Sequence, residues 1–452
     1  MKKNLQDLAR LAGGELSRQT DPSLLIKGIS KDTRTLEKGD LYIPIIGPNF
    51  DGHDFLKSAE EKGASASLWQ KDHPVPETSL PLILVDDCLV ALQTMAKNYR
   101  EELGLPLIAI TGSNGKTSTK DIVKSILATK FRVHATRGNE NNEIGLPLTI
   151  LGADESTEII IAEMGTESMG EIDLLSAIGR PNIAVITNVG DSHLDKLKTK
   201  ENVAKEKMDI VNGLKDGGIL IYNLDDAYIK DEVDSRNLSI KRLSFGRSKD
   251  AKYLISDIDI SQDRTRFTVN GRVYELMSPG IHQAYNAAIG LIIGQLFDLS
   301  QEDLDKGLGS VAFTSMRNQV LDMDDYTIID DSYKANPQNL LASVASMDYY
   351  KGYGKKILAL GDMLDLGEGI DDLHIDTLRK IGDHQPDLVL LYGDHMRKAY
   401  EVLKGSYPTR LYHFASKDEL TNFLKKEIEE NSLVLVKGSR TMKMEGVIAS
   451  LK

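Results

Sequence analysis

A single cysteine, no apolar run longer than about six residues and no excess of basic residues mark this 452-residue chain. Each shortage excludes something. Cys88 has no partner for an internal disulfide, and its neighbours Asp87 and Leu89 offer nothing to activate a thiolate. It reads as a half-buried structural cysteine in a reducing compartment. A membrane-spanning helix needs about 20 apolar residues, and no stretch supplies them. The segment Met1-Lys2-Lys3-Asn4-Leu5-Gln6-Asp7 has basic residues but no apolar core or cleavage site behind them, so no signal peptide is expected and the expected location is cytoplasmic. A formal charge of −13 speaks against a nucleic-acid or anionic-membrane surface, while local basic residues still leave room for anionic small substrates. No internal repeat or low-complexity segment is present. With 41% hydrophobic and 27% charged residues the chain is of the globular kind, and at about 100–200 residues per domain its length suits three domains.

What the chain does have is Thr111-Gly112-Ser113-Asn114-Gly115-Lys116-Thr117-Ser118, set between two regular patterns. The apolar run Leu107–Ile110 precedes it, and Ile122, Val123, Ile126 and Leu127 follow at the spacing of one helix face. Strand, glycine loop, lysine, hydroxyl and helix make a phosphate cradle: backbone N–H groups point at the anion, Lys116 adds a cation, and Thr117 is placed to ligate Mg²⁺. One glycine of the usual spacing is missing: it should precede Gly115 with four residues between them, and Ile110 stands there instead. A bare Gly-Lys-Thr is commonly no more than a turn before a helix. The flanking strand and helix favour nucleotide phosphate.

Composition shifts divide the chain at about residues 100 and 314. Residues 1–100 open with a helical pattern (Leu5, Leu8, Ala9, Leu11, Ala12) ended by Gly13-Gly14. A strand over Gly39–Gly47, a helix start at Phe55–Ala59 and a linker at Glu101–Pro106 are expected next. Residues 101–314 alternate strands and helices, with continuous apolar runs at Ile159–Ala162 and Ile183–Ile186, as strands buried on both faces require. Asn270-Gly271 between two alternating runs predicts a hairpin, and an apolar helix over Ala287–Leu296 is expected to close this unit. Residues 315–452 carry four further strands, at Tyr326–Ile329, Lys356–Leu360, Leu388–Tyr392 and Leu433–Lys437, without a dinucleotide fingerprint after any of them. The fold class is therefore α/β in three domains: a central parallel-sheet P-loop-type ATPase domain, and a C-terminal Rossmann-like domain lacking its own dinucleotide fingerprint.

Ligands gather beyond the carboxyl ends of parallel strands, and several polar residues fall there. Glu163 ends one strand and His193 follows the next. Each alone is most simply a solvated polar side chain; two potential ligands beside a phosphate loop shift that balance towards metal binding. Glu201–Leu214 reads as a helix whose outer face carries Glu201, Lys205 and Asp209, while Lys207 sits among Val203, Ile210, Val211 and Leu214. An amine on an apolar face is desolvated and biased towards its neutral form, which can act as a nucleophile or add CO₂. The commoner reading is a packed stem with a snorkelling head. Asp330–Pro337, Gly361–Glu368 and Lys437–Arg440 place polar clusters after three strands of the last unit, as one face of a site.

Taken together these motifs resemble the Mur ligases, the ATP-dependent amino-acid-adding enzymes of peptidoglycan synthesis. The resemblance covers essentially the whole chain: Asp32-Thr33-Arg34, Asp51-Gly52-His53, the Thr111–Ser118 loop, Gly138–Pro147, Glu163-Met164-Gly165, Ser278–Asn286, Arg317, Asp331–Pro337, Asp362–Glu368 and Lys437–Arg440. Asn139–Pro147 and Glu163–Gly165 are most like the branch that adds D-alanyl-D-alanine to UDP-N-acetylmuramoyl-tripeptide. The resemblance implies ATP and two Mg²⁺ ions as cofactors. It implies Thr117, Glu163, His193 and a carbamylated Lys207 as metal ligands, and a catalytic set of Lys116, Glu163, His193 and Lys207. Nucleotide contacts would come from Gly112, Ser113, Asn114, Gly115, Lys116, Thr117, Ser118, Asn286 and Arg317. Substrate contacts would come from Asp32, Thr33, Arg34, Asp51, Gly52, His53, Asn139, Asn141, Asn142, Asp331, Tyr333, Asn336, Ser439 and Arg440. The first domain would take the UDP-sugar end and the last the incoming dipeptide, and the chain would act as a monomer. Where this branch usually has Tyr-Asn-Ala-Asn-Pro, the chain has Tyr333-Lys334-Ala335-Asn336-Pro337, so Lys334 faces the acceptor's carboxylate or solvent. The alternatives are the family member that adds the third stem residue, whose Asp-Asn-Pro motif is absent, and a non-catalytic nucleotide-binding scaffold.

Overall fold

The structure, a computed structural model, describes residues 1–17, 20–236 and 238–451. Three sheets follow one another along the chain. The first has five strands in the order Glu15–Leu16, Leu82–Val85, Ala66–Gln70, Asp40–Tyr42, Gly28–Ser30, parallel except for the Glu15–Leu16 edge. The second has nine, running from Val133–Ala135 through Ile159–Glu163, Leu107–Thr111, Ile183–Ile186, Ile219–Asn223 and Lys241–Gly246 to Tyr253–Ile260, all parallel. Two antiparallel strands, Thr265–Val269 and Arg272–Leu276, complete it. Their turn is Asn270-Gly271, both with positive φ (48° and 81°), the geometry that a two-residue hairpin of this hand demands. The third sheet has six strands, five of them parallel, with Gln319–Asp322 antiparallel at one edge.

The apolar runs have a direct physical cause. In the Leu107–Thr111 strand, Leu107 and Ala109 enter one core while Ile108 and Ile110 enter the other. Ile160 and Ala162 against Ile159 and Ile161 repeat the division, and in the third sheet so do Leu433 and Leu435 against Val434 and Val436. Side chains alternate across a strand, so helices on both faces require apolar residues at every position.

Three expectations about local structure change. The Cys88–Leu103 helix runs straight through Glu101 and Glu102 and stops at Gly104 (φ 61°), leaving only three residues of linker. Those acids are the helix's outer face: Glu102 pairs with Lys3 (2.9 Å) and Arg10, and Glu101 with Arg180 (3.0 Å). The same helix shares one core with the first unit and the central sheet. The helix carrying Lys207 spans Lys200–Met208 and tightens to a 3₁₀ turn over Asp209–Val211, shorter than the pattern predicts. The strand expected over Gly39–Gly47 is broken into Asp40–Tyr42 and Ile46–Gly47, with Pro44 between them.

Candidate active site

Strand register brings the candidate residues together at the carboxyl end of the central sheet. Ile110 pairs with Glu163 and Thr111 with Ile186, so the glycine loop, Glu163 and the loop after Ile186 leave the sheet side by side. Two glycines make the tight approach possible. A Cβ on Gly112 (φ 151°) would lie 1.8 Å from Thr187 Oγ1, and one on Gly115 (φ 82°) would lie 2.8 Å from Asn286 Oδ1. The loop is fastened to its neighbour: Asn114 N donates to Asn188 Oδ1 (2.9 Å), Thr187 Oγ1 to Asn114 O (2.6 Å), and Gly190 N to Ser113 Oγ (2.8 Å). The Lys116–Leu127 helix begins without a side-chain cap, which leaves its first N–H groups for an anion.

A cavity of about 910 Å³ lies over this loop, walled on the other side by the third unit. Ser113–Ser118, Asn139, Asn141, Asn142, Glu163, His193, Asn286, Arg317, Asp331 and Tyr333 line it, as do two lysines, Lys334 and Lys437. The Arg317 guanidinium lies 4.1 Å over the Tyr333 ring, and its Nε is buried without a partner. Lys116 Nζ folds back onto Gly112 O at 2.6 Å. Burial lowers its pKa well below that of an ordinary lysine, reinforced by Lys207, Lys334 and Arg317 and opposed only by Glu163. Glu163 is 1% exposed; its Oε1 has no hydrogen-bond partner and its Oε2 takes only a 3.4 Å contact from Asn141 Nδ2. Lys120, one helical turn beyond Lys116, stands 3.9 Å from Glu163 and was not singled out by the sequence pattern.

Lys207 is 3% exposed, and burial followed by Lys334, against Glu206, lowers its pKa to about 7. The head does not snorkel. Its neighbour Glu206 is wholly buried and accepts from Thr166 Oγ1 (3.0 Å), Gly170 N (2.6 Å) and Ile172 N (2.7 Å), so it ties the loop after Glu163 to the helix that presents Lys207. Nothing in the charge pattern marked Glu206, which looks like any helical glutamate. His193 sits in the left-handed region (φ 58°), and burial, then Lys334, Lys116 and Lys207, lower its pKa to about 3. Its Nε2 accepts from Lys334 Nζ at 2.8 Å. The Lys334 ammonium is therefore turned onto His193 within the cavity wall, rather than into open solvent.

The three loops of the last unit do meet. Lys437 Nζ pairs with Asp331 Oδ2 (2.5 Å) and donates to Lys334 O (3.0 Å), while Ser439 N donates to Asp362 O (3.0 Å). Several residues read as substrate contacts are committed elsewhere. Asn336 is 1% exposed, caps the Pro337–Ser346 helix, and gives its amide hydrogens to Asn114 Oδ1 and Ser192 Oγ (both 3.0 Å), knitting that helix to the glycine loop. Gln338 and Asn339 add further bonds to Asn114. Ser439 Oγ accepts from Leu364 N, and Arg440 pairs with Glu445 at the surface. In the first unit Asp32, Thr33 and Arg34 form a turn closed by Arg34 on Asp32, and Asp51, Gly52 and His53 form another; neither lines the cavity. Burial raises the pKa of Glu140 and the charge of Lys31 opposes it, so the first turn lies near the Asn139–Asn142 loop. Gly112 and Lys207 are likewise absent from the lining, although Gly112 O holds Lys116 and Lys207 lies close enough to depress it.

Three segments of the chain match descriptions of one family: residues 25–100 the Mur ligase family catalytic domain, 110–294 the Mur ligase middle domain, and 316–440 the Mur ligase glutamate ligase domain. A UDP-N-acetylmuramoyl-tripeptide–D-alanyl-D-alanine ligase of Bacillus subtilis (strain 168) is 39% identical over 100% of this chain and 98% of its own length. Among solved structures, MurF from Acinetobacter baumannii superposes with a TM-score of 0.91 at 26% identity, covering 100% of this chain and 99% of that one. MurF ligase from Thermotoga maritima, solved in complex with ADP, gives 0.80 at 25% identity over 94% and 96%.

Proposed function

The chain belongs to the Mur ligase family, and from that premise we propose that it joins D-alanyl-D-alanine to UDP-N-acetylmuramoyl-tripeptide at the expense of ATP. The single observation that carries this reading is similarity over the full length, all three units included, to a ligase of that name. The cavity gives it a chemistry. ATP phosphates lie on the glycine loop, with the γ-phosphorus towards Glu163, His193 and the third unit. The tripeptide carboxylate attacks that phosphorus, giving an acyl phosphate and ADP; the dipeptide amine then attacks the carbonyl, and phosphate leaves as the amide forms. Such chemistry is mostly positioning and charge neutralisation. Lys116 reaches the transferring phosphoryl once it leaves Gly112 O. Arg317, stacked on Tyr333, brings a cation from the third unit. The first unit, residues 1–100, takes the UDP-sugar end, residues 101–314 the nucleotide and residues 315–452 the acceptor; the site is cytoplasmic and the chain acts as a monomer.

The residues fit Mg²⁺. A buried carboxylate oxygen without a partner beside a threonine hydroxyl and a phosphate loop is a hard-cation site, so Thr117 and Glu163 would hold one ion. His193, with Lys207 as its carbamate, would hold the second. When bound, the ions neutralise phosphate charge. Lys334 then competes with the second ion for His193 Nε2, so Lys334→Asn is expected to lower the Mg²⁺ concentration giving half-maximal turnover by about three- to tenfold, roughly 1 kcal/mol. A Mg²⁺ titration of ADP release measures it; an unchanged or raised requirement would show that the ammonium is no competitor.

The decisive assay supplies ATP, Mg²⁺ and UDP-N-acetylmuramoyl-tripeptide with either D-alanyl-D-alanine or single amino acids, and weighs the product by mass spectrometry. A dipeptide adduct is expected. A single-residue adduct, or ATP turnover without any adduct, would overturn the reading.

A further inference from the structure

Away from the nucleotide cavity, two turns of the first unit bring two imidazoles onto one carboxylate. His53 Nδ1 lies 2.6 Å from Asp51 Oδ1, and His73 Nε2 lies 3.1 Å from Asp51 Oδ2. His73 enters from the turn after the Ala66–Gln70 strand, 22 positions along the chain from Asp51. The two rings stack at 4.0 Å, and the Trp69 indole meets His53 edge-on at 4.7 Å. One ligating atom from each of the three residues falls within 4.8 Å of the other two. The back of the cluster is closed and its front is open: the His53 side chain is 4% exposed, those of His73 and Asp51 23% and 33%.

Three further features favour a cation over a plain hydrogen-bond cluster. Two histidines and a carboxylate are the protein donors of many zinc and non-haem iron sites. The outer nitrogen of each ring is already held, His73 Nδ1 by Asp72 at 2.7 Å and His53 Nε2 facing Cys88 Sγ at 3.9 Å. Carboxylate on the far nitrogen of a ligating histidine fixes the ring and raises its basicity. Finally, among the described residues neither Asp51 nor Asp72 has a lysine or arginine partner, so two carboxylates are balanced by the histidines alone. We propose that Asp51, His53 and His73 form a binding site for a divalent transition-metal ion of the zinc and cobalt class. The ion takes His53 Nδ1, His73 Nε2 and an Asp51 oxygen as ligands, any proton on those nitrogens passing to water, and leaves its remaining positions to water on the open side. Mixed nitrogen and oxygen donors select such ions over Mg²⁺. The bound metal would pin the Gly52–Phe55 turn to the His73 turn.

The test uses the full chain, freed of metal by chelator and titrated with Zn²⁺ by calorimetry and with Co²⁺ by visible absorption, beside His73→Ala. His73 lies in a half-exposed turn, and circular dichroism checks that the variant is folded. A third protein, His384→Ala, removes a histidine that pairs with a carboxylate in another unit. The unaltered chain and His384→Ala should each bind one more ion than His73→Ala, or bind it at least about tenfold more tightly, since even outer partners of metal ligands contribute that much. The Co²⁺ spectrum of that extra ion should show imidazole ligation. Taking the difference cancels any ion held in the nucleotide cavity. Equal binding by all three proteins, or equal loss in both histidine variants, would overturn the site.

Discussion

Lys207→Ala should lose turnover by about 10²- to 10³-fold, the size of one charge-stabilising group in a dry site, while ADP binds within about threefold of normal. The two halves of the result separate the roles. Lys207 does not line the cavity, so it gives the nucleotide nothing direct. It is buried beside Lys116 and His193, where a neutral amine adds nothing to phosphate binding but a carbamate supplies an anion for a metal. Carbamylation needs the neutral amine, and burial has lowered this one to about 7. The sign follows: below that value the protonated amine is inert towards CO₂, above it the neutral form is present. Enzyme depleted of bicarbonate should therefore recover on adding it, faster at pH 8 than at pH 6, and the variant should not respond. Coupled ADP-release kinetics and isothermal titration with ADP measure both parts. Undiminished turnover in Lys207→Ala, or a recovery independent of bicarbonate, would sink the carbamate role.

Much of this was legible because buried parallel strands write themselves plainly. Every position of Ile159–Glu163 is buried, and a chain with no choice but apolar residues cannot hide such a run. Strands with an exposed face or an edge position leave less trace. Arg410–Phe414 is an edge strand with half-exposed residues, and its mixed sequence gave no signal. Glu101 and Glu102 look like linker in the sequence because two acids before Gly104 resemble a loop; on a helix surface with basic partners they are ordinary.

The site divides along the same line. Glu163 and His193 could be located because they follow strands, and parallel-strand ends converge. What the sequence could not show is which way a side chain turns once two units meet. Asn336 has the composition of a substrate contact, yet its amide is spent on Asn114 and Ser192. Lys334 stands one residue past a tyrosine in a turn, and only docking of the third unit brings its ammonium to His193. The Asp51–His53–His73 cluster needed a partner 22 positions away, beyond any local motif. Glu206 was invisible for another reason: its anchoring bonds come from the backbone of a different loop.

Lys116→Met should cost turnover about 10²- to 10³-fold or more and, in bicarbonate-free buffer, raise the melting temperature. The first half follows from the place proposed for the lysine at the transferring phosphoryl. The second follows from its surroundings without nucleotide, where it is half-buried among Lys207, Lys334 and Arg317 with Glu163 as the only nearby anion contributing to its charge. One hydrogen bond to Gly112 O is a small return for that burial. Methionine keeps the stem's packing and removes the charge, so strain stored for phosphate binding is released. The pH dependence has a definite sign. A base whose folded-state pKa is lowered burdens the native state wherever the unfolded lysine is protonated, and the burden fades as pH rises towards 10.5. The gain in stability should thus be largest near neutral pH and vanish as pH nears about 10.5. Saturating ATP and Mg²⁺ should reverse the order, stabilising the unaltered chain more than the variant, because only there does the ammonium meet its anion. Thermal melts of both proteins across pH, with and without nucleotide, test it. A lower melting temperature for Lys116→Met without nucleotide would mean that the bond to Gly112 O outweighs the crowding of cations, and that the loop is built around the lysine rather than held under strain for its substrate.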